Sequence, residues 1–256
     1  MTEKRRIAGR TCVVTGASSG IGAHLARVMA SEGARVVLGA RRTELTKGIA
    51  QEIRDAGGEA LAVPMDVTSE KSVAQAFSSA EDAFGPVDTV IANAGVSRHG
   101  RSTELAEAEL RQVFDTNLLG VHLTANAAAS AMMTAGSRES GAGRIVIIGS
   151  ITAQLTGQGD AAYAASKAGV AHLGRQLARE WVRQGINLNV VQPGYIRTEL
   201  VGNWFDSEGG RAQIASWHRR RIMNVDALDD LVLYLASDAS AQITGSVFTV
   251  DDGQSL

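Results

Sequence analysis

Short apolar runs rich in β-branched residues alternate with longer amphipathic stretches along this chain of 256 residues. Runs of near-continuous apolar character are typical of parallel strands that are buried on both faces of a sheet. The alternation therefore predicts an α/β fold in a single domain spanning residues 1–256, with a doubly wound parallel sheet of about seven strands and helices on both faces. The predicted strands are Thr11–Thr15, Ala34–Leu38, Ala60–Val63, Thr89–Ala92, Arg144–Ile148, Asn187–Val191 and Val247–Val250.

The amphipathic stretches between these runs predict the helices. In Thr43–Asp55 the side chains of Leu45, Ile49 and Ile53 recur every four residues, which places them on one face of a helix. The other predicted helices are Gly22–Ser31, Ser69–Phe84, Ala108–Met133 and Ala161–Gln184. The longest irregular segment, Pro193–Asn224, follows the sixth predicted strand. Because ligands bind beyond the carboxyl ends of parallel strands, this segment is a candidate wall of a binding site.

Composition narrows the classes of function. Lys and Arg number 25 against 27 Asp and Glu, and this balance excludes a mainly electrostatic binder of nucleic acid or membrane surfaces. No uninterrupted apolar stretch of about 18 residues is present, which excludes a transmembrane helix. The one cysteine, Cys12, excludes an internal disulfide, and the five histidines form no metal-ligand pattern, so we expect no metal. These features predict a cytoplasmic protein with a reduced, buried thiol.

A glycine-rich turn between the first strand and the first helix predicts a phosphate site. Glycine permits positive φ and lets a pyrophosphate approach the backbone closely. The start of the helix offers free N–H groups and the positive end of the helix dipole. The candidate phosphate residues are Gly16, Ser18, Ser19, Gly20, Ile21 and Gly22. A glycine-rich turn that binds no ligand is the alternative.

The spacing Gly-x-x-x-Gly-x-Gly of this turn, with several later motifs, resembles the short-chain dehydrogenase/reductase family in its compact single-domain branch. The resemblance covers roughly Arg6 to Gly253 and implies a Rossmann-like fold and a homotetramer. The later motifs are Asp66-Val67, Asn93-Ala94-Gly95, Asn117, Ser150, Tyr163-x-x-x-Lys167, Pro193-Gly194 and Ile243-Thr244-Gly245. The end of the chain departs from the pattern, because Asp251-Asp252-Gly253 stands where the family usually has Asp-Gly-Gly.

The resemblance also implies roles for individual residues. The implied catalytic residues are Asn117, Ser150, Tyr163 and Lys167. Asn117 would anchor a water that links Lys167 to solvent, with a purely structural role as the alternative. The implied cofactor contacts are Asp66 and Val67 at the adenine, Asn93, Ala94 and Gly95 at the adenosine ribose, Tyr163 and Lys167, and Pro193, Gly194, Ile196 and Thr198 at the nicotinamide. Asp66 could instead be only a turn residue.

The chemistry expected of Tyr163 follows from its spacing to Lys167. Residues four apart share a helix face. A free tyrosine has a pKa near 10, and a nearby ammonium, with the positive charge of an oxidised nicotinamide, is expected to lower that pKa. Ser150 is expected to hydrogen-bond the substrate oxygen. A solvent-facing Tyr–Lys pair and a turn serine are the alternatives.

The end of the second strand predicts the type of nicotinamide cofactor. An NAD enzyme would place an acid near this strand end to bind the ribose 2′-hydroxyl, whereas Ala40 offers no acceptor. Arg41 and Arg42 stand at the positive end of the next helix, an unfavourable place without an anion. A 2′-phosphate supplies that anion, so NADP(H) is favoured over NAD(H), with Arg41 as its main partner. Two solvated surface arginines are the alternative.

Three aromatic side chains, Trp204, Phe205 and Trp217, lie in the region of about 193–224 and predict a substrate lid, with a packed interface patch as the alternative. The basic run His218–Arg221 could meet an anionic substrate or form a solvated face. Together these features predict an NADP(H)-dependent oxidoreductase that transfers a hydride between nicotinamide and a ketone or secondary alcohol, with Tyr163 as general acid/base. A 3-oxoacyl-carrier-protein reductase and a non-catalytic cofactor-binding sensor are the alternatives.

Overall fold

The computed structural model describes residues 5–157 and 159–256, and its strands form a seven-stranded sheet in which every pairing is parallel. The strand order is β3-β2-β1-β4-β5-β6-β7, which confirms the predicted doubly wound sheet. The order reverses between β1 and β4, and ligands bind at such a switch point. The strands are β1 (Thr11–Thr15), β2 (Arg35–Ala40), β3 (Glu59–Pro64), β4 (Thr89–Ala92), β5 (Gly143–Ile148), β6 (Ile186–Pro193) and β7 (Val247–Val250).

Helices cover both faces of the sheet and bury its apolar side chains. The strand β1 shows the arrangement, because Cys12 and Val14 pack into the hydrophobic cluster with α1, α2 and α9, whereas Val13 packs into the cluster with α3, α5 and α7. The helices are α1 (Gly20–Ser31), α2 (Thr43–Asp55), α3 (Glu70–Phe84), α4 (Glu107–Phe114), α5 (Gly120–Thr134), α6 (Ser137–Ser140), α7 (Ala161–Trp181), α8 (Glu208–Ser216) and α9 (Asp229–Ala236).

The predicted helix Ala108–Met133 is not continuous. The helix α4 ends at Phe114, and a π-helical segment, Asp115–Leu119, joins it to α5. The side chain of Asn117 lies in the middle of this segment and bonds the backbone of Val96, which follows β4. Such π-segments occur frequently at functional sites, because one wider turn redirects a side chain.

The predictions from composition concern the single cysteine, transmembrane helices and metal ligands. Cys12 is a fully buried free thiol, and burial raises its pKa, as expected for an inert cysteine. Over the described ranges, no helix is both long and apolar enough to cross a membrane. Among the same residues, no group of three or more His, Cys, Asp or Glu side chains could hold a metal ion.

Candidate active site

A cleft of about 350 Å³ lies at the carboxyl ends of β1, β2 and β4, where the strand order reverses. Most of the predicted cofactor residues line this cleft, which we call the cofactor cleft: Gly16, Ser18, Ser19, Gly20, Ile21, Arg41, Asp66, Val67, Asn93, Ala94, Gly95, Tyr163, Lys167 and Thr198. The structure adds lining residues that no motif singled out, namely Met65, Val96, Thr116, Ile148, Gly149, Glu199 and Leu200. Residues distant in sequence thus meet at the predicted edge of the sheet.

The glycine turn packs directly against the end of β4. Gly16 has a φ of 66°, and a Cβ there would lie 2.7 Å from the Cα of Ala94. The side-chain amide of Asn93 donates hydrogen bonds to the carbonyl oxygens of Thr15 (3.0 Å) and Gly16 (3.3 Å). The hydroxyl oxygen of Thr15 in turn accepts from the backbone N–H groups of Asn93 and Ala94, both at 3.1 Å. Asn93 therefore holds the turn in shape, in addition to lining the cleft.

Gly22 lines neither this cleft nor the neighbouring one described below. A Cβ at Gly22 would lie 2.5 Å from the carbonyl oxygen of Gly16 and closer still to the amide nitrogen of Asn93. Its missing side chain therefore lets the first turn of α1 pack against the glycine turn.

Replacing Gly22 by Ala should destabilise the protein by about 1–3 kcal/mol, because the added methyl group overlaps atoms that cannot move freely. Gly48 is the matched control, since a Cβ at this position in α2 meets open space. Gly48→Ala should stabilise the helix by up to about 1 kcal/mol. Denaturant unfolding measures both changes, and equal stability of the two variants would contradict the packing role of Gly22.

The two arginines after β2 have different surroundings. Arg42 donates to the hydroxyls of Ser18 (3.2 Å) and Ser19 (2.6 Å) and pairs with Glu199 at 3.0 Å. Hydrogen bonds from Ser19 and Arg42 hold the pKa of Glu199 below its usual range. Arg41 lines the cofactor cleft and is exposed, and its guanidinium makes no hydrogen bond or ion pair with the part of the chain that the structure describes. The guanidinium of Arg41 is thus the one free to meet an anion.

Asp66 serves as a turn residue and also faces the cofactor cleft. Its Oδ1 accepts hydrogen bonds from the backbone N–H (3.0 Å) and the hydroxyl (2.8 Å) of Thr68. This Asx-type turn leads into α3. The turn role and the position in the cleft are therefore compatible.

The residues expected to react lie at the boundary of two clefts. The hydroxyl of Ser150 lies close enough to the phenol of Tyr163 to lower its pKa. The oxygen of Ser150 also accepts from the backbone N–H (3.2 Å) and hydroxyl (2.9 Å) of Thr152, which fixes its position. The Nζ of Lys167 donates to the carbonyl oxygen of Ile148 at 2.9 Å and lies 5.7 Å from the centre of the Tyr163 ring. The spacing of four thus places both side chains on one face of α7, towards the ends of the strands.

Burial governs the pKa values of this pair. The dense surroundings of the Tyr163 hydroxyl raise its pKa to about 12, opposed by the nearby hydroxyl of Ser150. Burial lowers the pKa of Lys167 to about 8. The lowering of the Tyr163 pKa expected from the sequence also depends on the positive charge of an oxidised nicotinamide. The raised value comes from the protein's own groups, because loss of hydration destabilises the phenolate more than its neighbours stabilise it. The phenol is therefore protonated at neutral pH, which is the form that can donate a proton.

The side chain of Asn117 is fully buried and reaches neither cleft. Its Oδ1 accepts from the backbone N–H of Val96 (2.8 Å), and its Nδ2 donates to the Val96 carbonyl (2.9 Å) and the Ser166 hydroxyl (3.1 Å). Both amide hydrogens are thus used in tying the π-segment to α7 and to the loop after β4. These contacts fit the structural alternative, and the water-anchoring role stays a prediction.

A second cleft, of about 770 Å³, adjoins the cofactor cleft and shares Tyr163 with it. We call it the substrate cleft, and Ser150 lies in its wall. The residues expected to flank the nicotinamide are also here, because Pro193, Gly194 and Ile196 line this cleft and Thr198 lines both. Its other lining residues are Ile21, Ser97, His99, Gly100, Arg101, Gly149, Thr152, Gly157, Gly159, Asp160, Tyr195, Leu200, Val201, Trp204 and Gln213.

Aromatic side chains anchor the segment that follows β6. The ring of Tyr195 stacks on Trp217, with centroids 5.4 Å apart, and the buried Phe205 meets both rings edge-on. Trp204 instead is half exposed and lines the substrate cleft, where its indole N–H donates to Gln213. Two of the three aromatics predicted to form a lid therefore pack inward as its anchor, and one faces the cleft.

Residues Asp252 and Gln254 bind the segment that follows β6. Asp252 adopts a φ of 53°, a left-handed conformation that a glycine would take without strain. Its carboxylate pairs with Arg221 at 2.6 Å and with Arg219 at 3.2 Å. The neighbouring Gln254 accepts a hydrogen bond from the backbone N–H of Tyr195 at 2.6 Å. Two arginines of the predicted basic run therefore pair with Asp252, while their side chains remain 66% and 61% exposed, which fits the solvated face.

Comparison with known proteins finds similarity to dehydrogenases and reductases. A family model described as short chain dehydrogenase matches residues 10–209. The cis-4-hydroxycyclohexanecarboxylate dehydrogenase of Sinomonas cyclohexanicum is 38% identical over 247 residues, which is 96% of each protein. The 3-oxoacyl-[acyl-carrier-protein] reductase of Escherichia coli (strain K12) is 34% identical over 96% of this chain and 97% of its own.

Solved structures resemble the chain over almost its full length. A gluconate 5-dehydrogenase from Burkholderia cenocepacia J2315, crystallised in complex with NADP and tartrate, superimposes with a TM-score of 0.92. It is 31% identical, and the match covers 99% of this chain and 98% of the other. A short-chain type dehydrogenase/reductase from Mycobacterium marinum gives a TM-score of 0.91 at 34% identity, covering 98% of each chain.

Proposed function

The chain belongs to the short-chain dehydrogenase family and is an alcohol/ketone oxidoreductase, and from this premise we propose that it uses NADP(H) and that Tyr163 transfers the proton. The observation that carries the proposal is that Tyr163 lines both the cofactor cleft and the substrate cleft, with Ser150 in the wall of the substrate cleft. A group bound in either cleft would reach Tyr163, and one bound in the substrate cleft would also reach Ser150.

The cofactor cleft fits a dinucleotide. At Gly16 there is no room for a side chain on the side facing Ala94, and Gly20 has a φ of 54°, which favours glycine. The helix α1 begins at Gly20 with its N–H groups free for a pyrophosphate. Ser18, Ser19 and Ile21 would complete the phosphate site. Asp66, Val67, Ala94 and Gly95 would hold the adenosine, and Lys167 the ribose hydroxyls beside the nicotinamide. When bound there, the nicotinamide supplies or takes up a hydride.

The free guanidinium of Arg41 supports NADP(H) over NAD(H). Arg42 already bonds Ser18, Ser19 and Glu199, whereas the guanidinium of Arg41 has no partner among the described residues. Ala40 brings no carboxylate to repel a phosphate at this strand end. A 2′-phosphate would give Arg41 a charge-assisted, bidentate partner. The Burkholderia cenocepacia gluconate 5-dehydrogenase was likewise crystallised with NADP.

The proton chemistry rests on this chain's own groups. In reduction, the carbonyl carbon gains a hydride while Tyr163 donates its phenolic proton to the carbonyl oxygen, and in oxidation both steps reverse. The hydroxyl of Ser150 orients that oxygen and stabilises the charge that develops on it. Lys167, with a pKa lowered by burial to about 8, can exchange a proton near neutral pH and so helps Tyr163 to regain its own.

Further elements of the proposal rest on family membership. We place the whole activity in one catalytic domain of residues 1–256, with about 193–224 as the substrate lid, working as a cytoplasmic homotetramer. The 34% identity to the Escherichia coli 3-oxoacyl-[acyl-carrier-protein] reductase favours a second candidate, reduction of a carrier-bound 3-oxoacyl thioester. The basic residues Arg219 and Arg221 are already paired with Asp252, which weakens the case for a carrier-protein contact at that run.

The test is consumption of NADPH, followed by absorbance, with a panel of simple, cyclic and aromatic ketones and acetoacetyl thioesters. Turnover of plain ketones supports the proposal, and turnover of thioesters alone supports the second candidate. Binding of NADPH without turnover of any member would identify a cofactor-binding sensor and contradict the proposal.

A further inference from the structure

Asp160 brings an unpaired carboxylate into the substrate cleft. It precedes α7 and lies one helical turn before Tyr163. The carboxylate makes no hydrogen bond or ion pair with any residue in 5–157 or 159–256, and it does not cap the helix it precedes. Besides burial, the charge of Asp160 contributes to the raised pKa values of both Tyr163 and Tyr195, so it lies within electrostatic range of the hydroxyls of both.

The rest of the substrate cleft does little to offset this charge. Much of its wall is apolar, including Ile196, Leu200 and Trp204. Arg101 lies at the rim with 85% of its side chain exposed, and Glu104 is within ion-pair distance at 3.9 Å. Water screens a charge as exposed as that of Arg101, while the apolar wall beside Asp160 screens much less.

We propose that Asp160 is a specificity residue, which selects uncharged ketones and secondary alcohols and excludes anionic ones from the substrate cleft. This inference rests on the proposed function and names its substrate class. An anionic group brought beside Tyr163 meets a like charge in a cleft whose wall is largely apolar, which is a repulsive element of selectivity. An uncharged substrate avoids the repulsion, and a hydroxyl substituent on it can donate a charge-assisted hydrogen bond to Asp160.

A matched pair of substrates isolates the charge. Methyl 4-oxocyclohexanecarboxylate and 4-oxocyclohexanecarboxylate have the same ring and ketone and differ in one negative charge. We expect the protein to prefer the ester by about 10-fold or more in kcat/KM, and Asp160→Asn to reduce that preference at least about 5-fold, mainly by improving the use of the anion. Asparagine has nearly the same shape and is equally suited to the start of a helix.

The control variant is Glu107→Gln, another carboxylate-to-amide change, on the exposed surface of α4 where Glu107 pairs with Arg111. It should leave the preference unchanged. An anion used as well as the ester by the unmodified protein, or a preference that Asp160→Asn leaves intact, would overturn the inference.

Binding of the ester and of the anion tests the charge selectivity of the cleft without turnover. Trp204 lies in the substrate cleft, so quenching of tryptophan fluorescence can report binding of each compound to the NADPH-loaded protein. Weaker binding of the anion that disappears in Asp160→Asn supports the inference, and equal binding in both proteins contradicts it. If neither these compounds nor any ketone of the panel is reduced but binding follows charge, the proposed activity fails while the charge selectivity of the cleft stands.

Discussion

Tyr163→Phe should lower kcat for ketone reduction by about 100-fold or more while leaving the Kd for NADPH nearly unchanged. The substitution removes only the phenolic hydroxyl of a residue that lines both clefts, and a general acid contributes a factor of this size. Because burial raises the pKa of Tyr163 to about 12, the unmodified protein keeps the phenolic proton through neutral pH. Steady-state kinetics and a fluorescence titration with NADPH measure the two quantities.

Tyr234→Phe provides the matched control for this prediction. Tyr234 lies on α9 with 37% of the residue exposed, outside the residues that line either cleft. Its change should leave kcat unaltered. Normal turnover in Tyr163→Phe would remove Tyr163 from the mechanism, whereas loss of NADPH binding would mean that its hydroxyl serves the cofactor.

Arg41→Ala should weaken NADPH binding by about 10- to 150-fold and NADH binding little. The expected loss corresponds to one charge-assisted hydrogen-bonding contact of about 1.5–3 kcal/mol. Ala40→Asp should go further, because its carboxylate would accept from a ribose 2′-hydroxyl in NADH and repel a 2′-phosphate. The double variant combines lost attraction with added repulsion and should invert the preference. Titration of each variant with both cofactors measures these changes.

Two further arginines calibrate the cofactor experiment. Arg42→Ala should have a smaller effect than Arg41→Ala, since Arg42 already bonds Ser18, Ser19 and Glu199. Arg183→Ala, an exposed change in the turn after α7, should have none. A higher kcat/KM with NADH than with NADPH in the unmodified protein would mean that Arg41 and Arg42 are surface residues and that the cofactor preference is wrong.

The strands and their order follow from local sequence patterns. The sequence predicts β1, β4 and β7 to the residue, and the predicted bounds of β2, β3, β5 and β6 differ from the structure by one or two residues. A parallel strand that is buried on both faces of the sheet is apolar at nearly every residue, so its bounds can be read from the sequence. The motifs likewise indicated where the strand ends would converge, because the carboxyl ends of parallel strands share one edge.

Other features depend on contacts that no local pattern records. The π-segment around Asn117 is set by its bonds to Val96 and Ser166, while the apolar periodicity on both sides of it still resembles one long helix. The ion pair between Arg42 and Glu199 joins residues far apart in the chain. The raised pKa of Tyr163 likewise reflects the packing around its hydroxyl, which spacing to a lysine does not reveal.

The role of Asp252 could not be predicted from the sequence, although its unusual position in the motif could be seen there. The departure from Asp-Gly-Gly was visible, and only the fold shows that the added carboxylate faces Arg219 and Arg221. Asp160 is a similar case. Its place one turn before Tyr163 can be read from the sequence, whereas only the structure shows that its carboxylate has no hydrogen-bond or ion-pair partner among the described residues.

Transfer of deuterium from NADPH labelled at its transferable hydride position tests the central claim most directly. The unmodified protein would be incubated with a ketone that it consumes, and the alcohol product analysed by mass spectrometry. Direct hydride transfer predicts one deuterium on the carbinol carbon of nearly every product molecule. An unlabelled alcohol, or deuterium lost to solvent, would contradict a reaction in which the two clefts bring nicotinamide and carbonyl together at Tyr163.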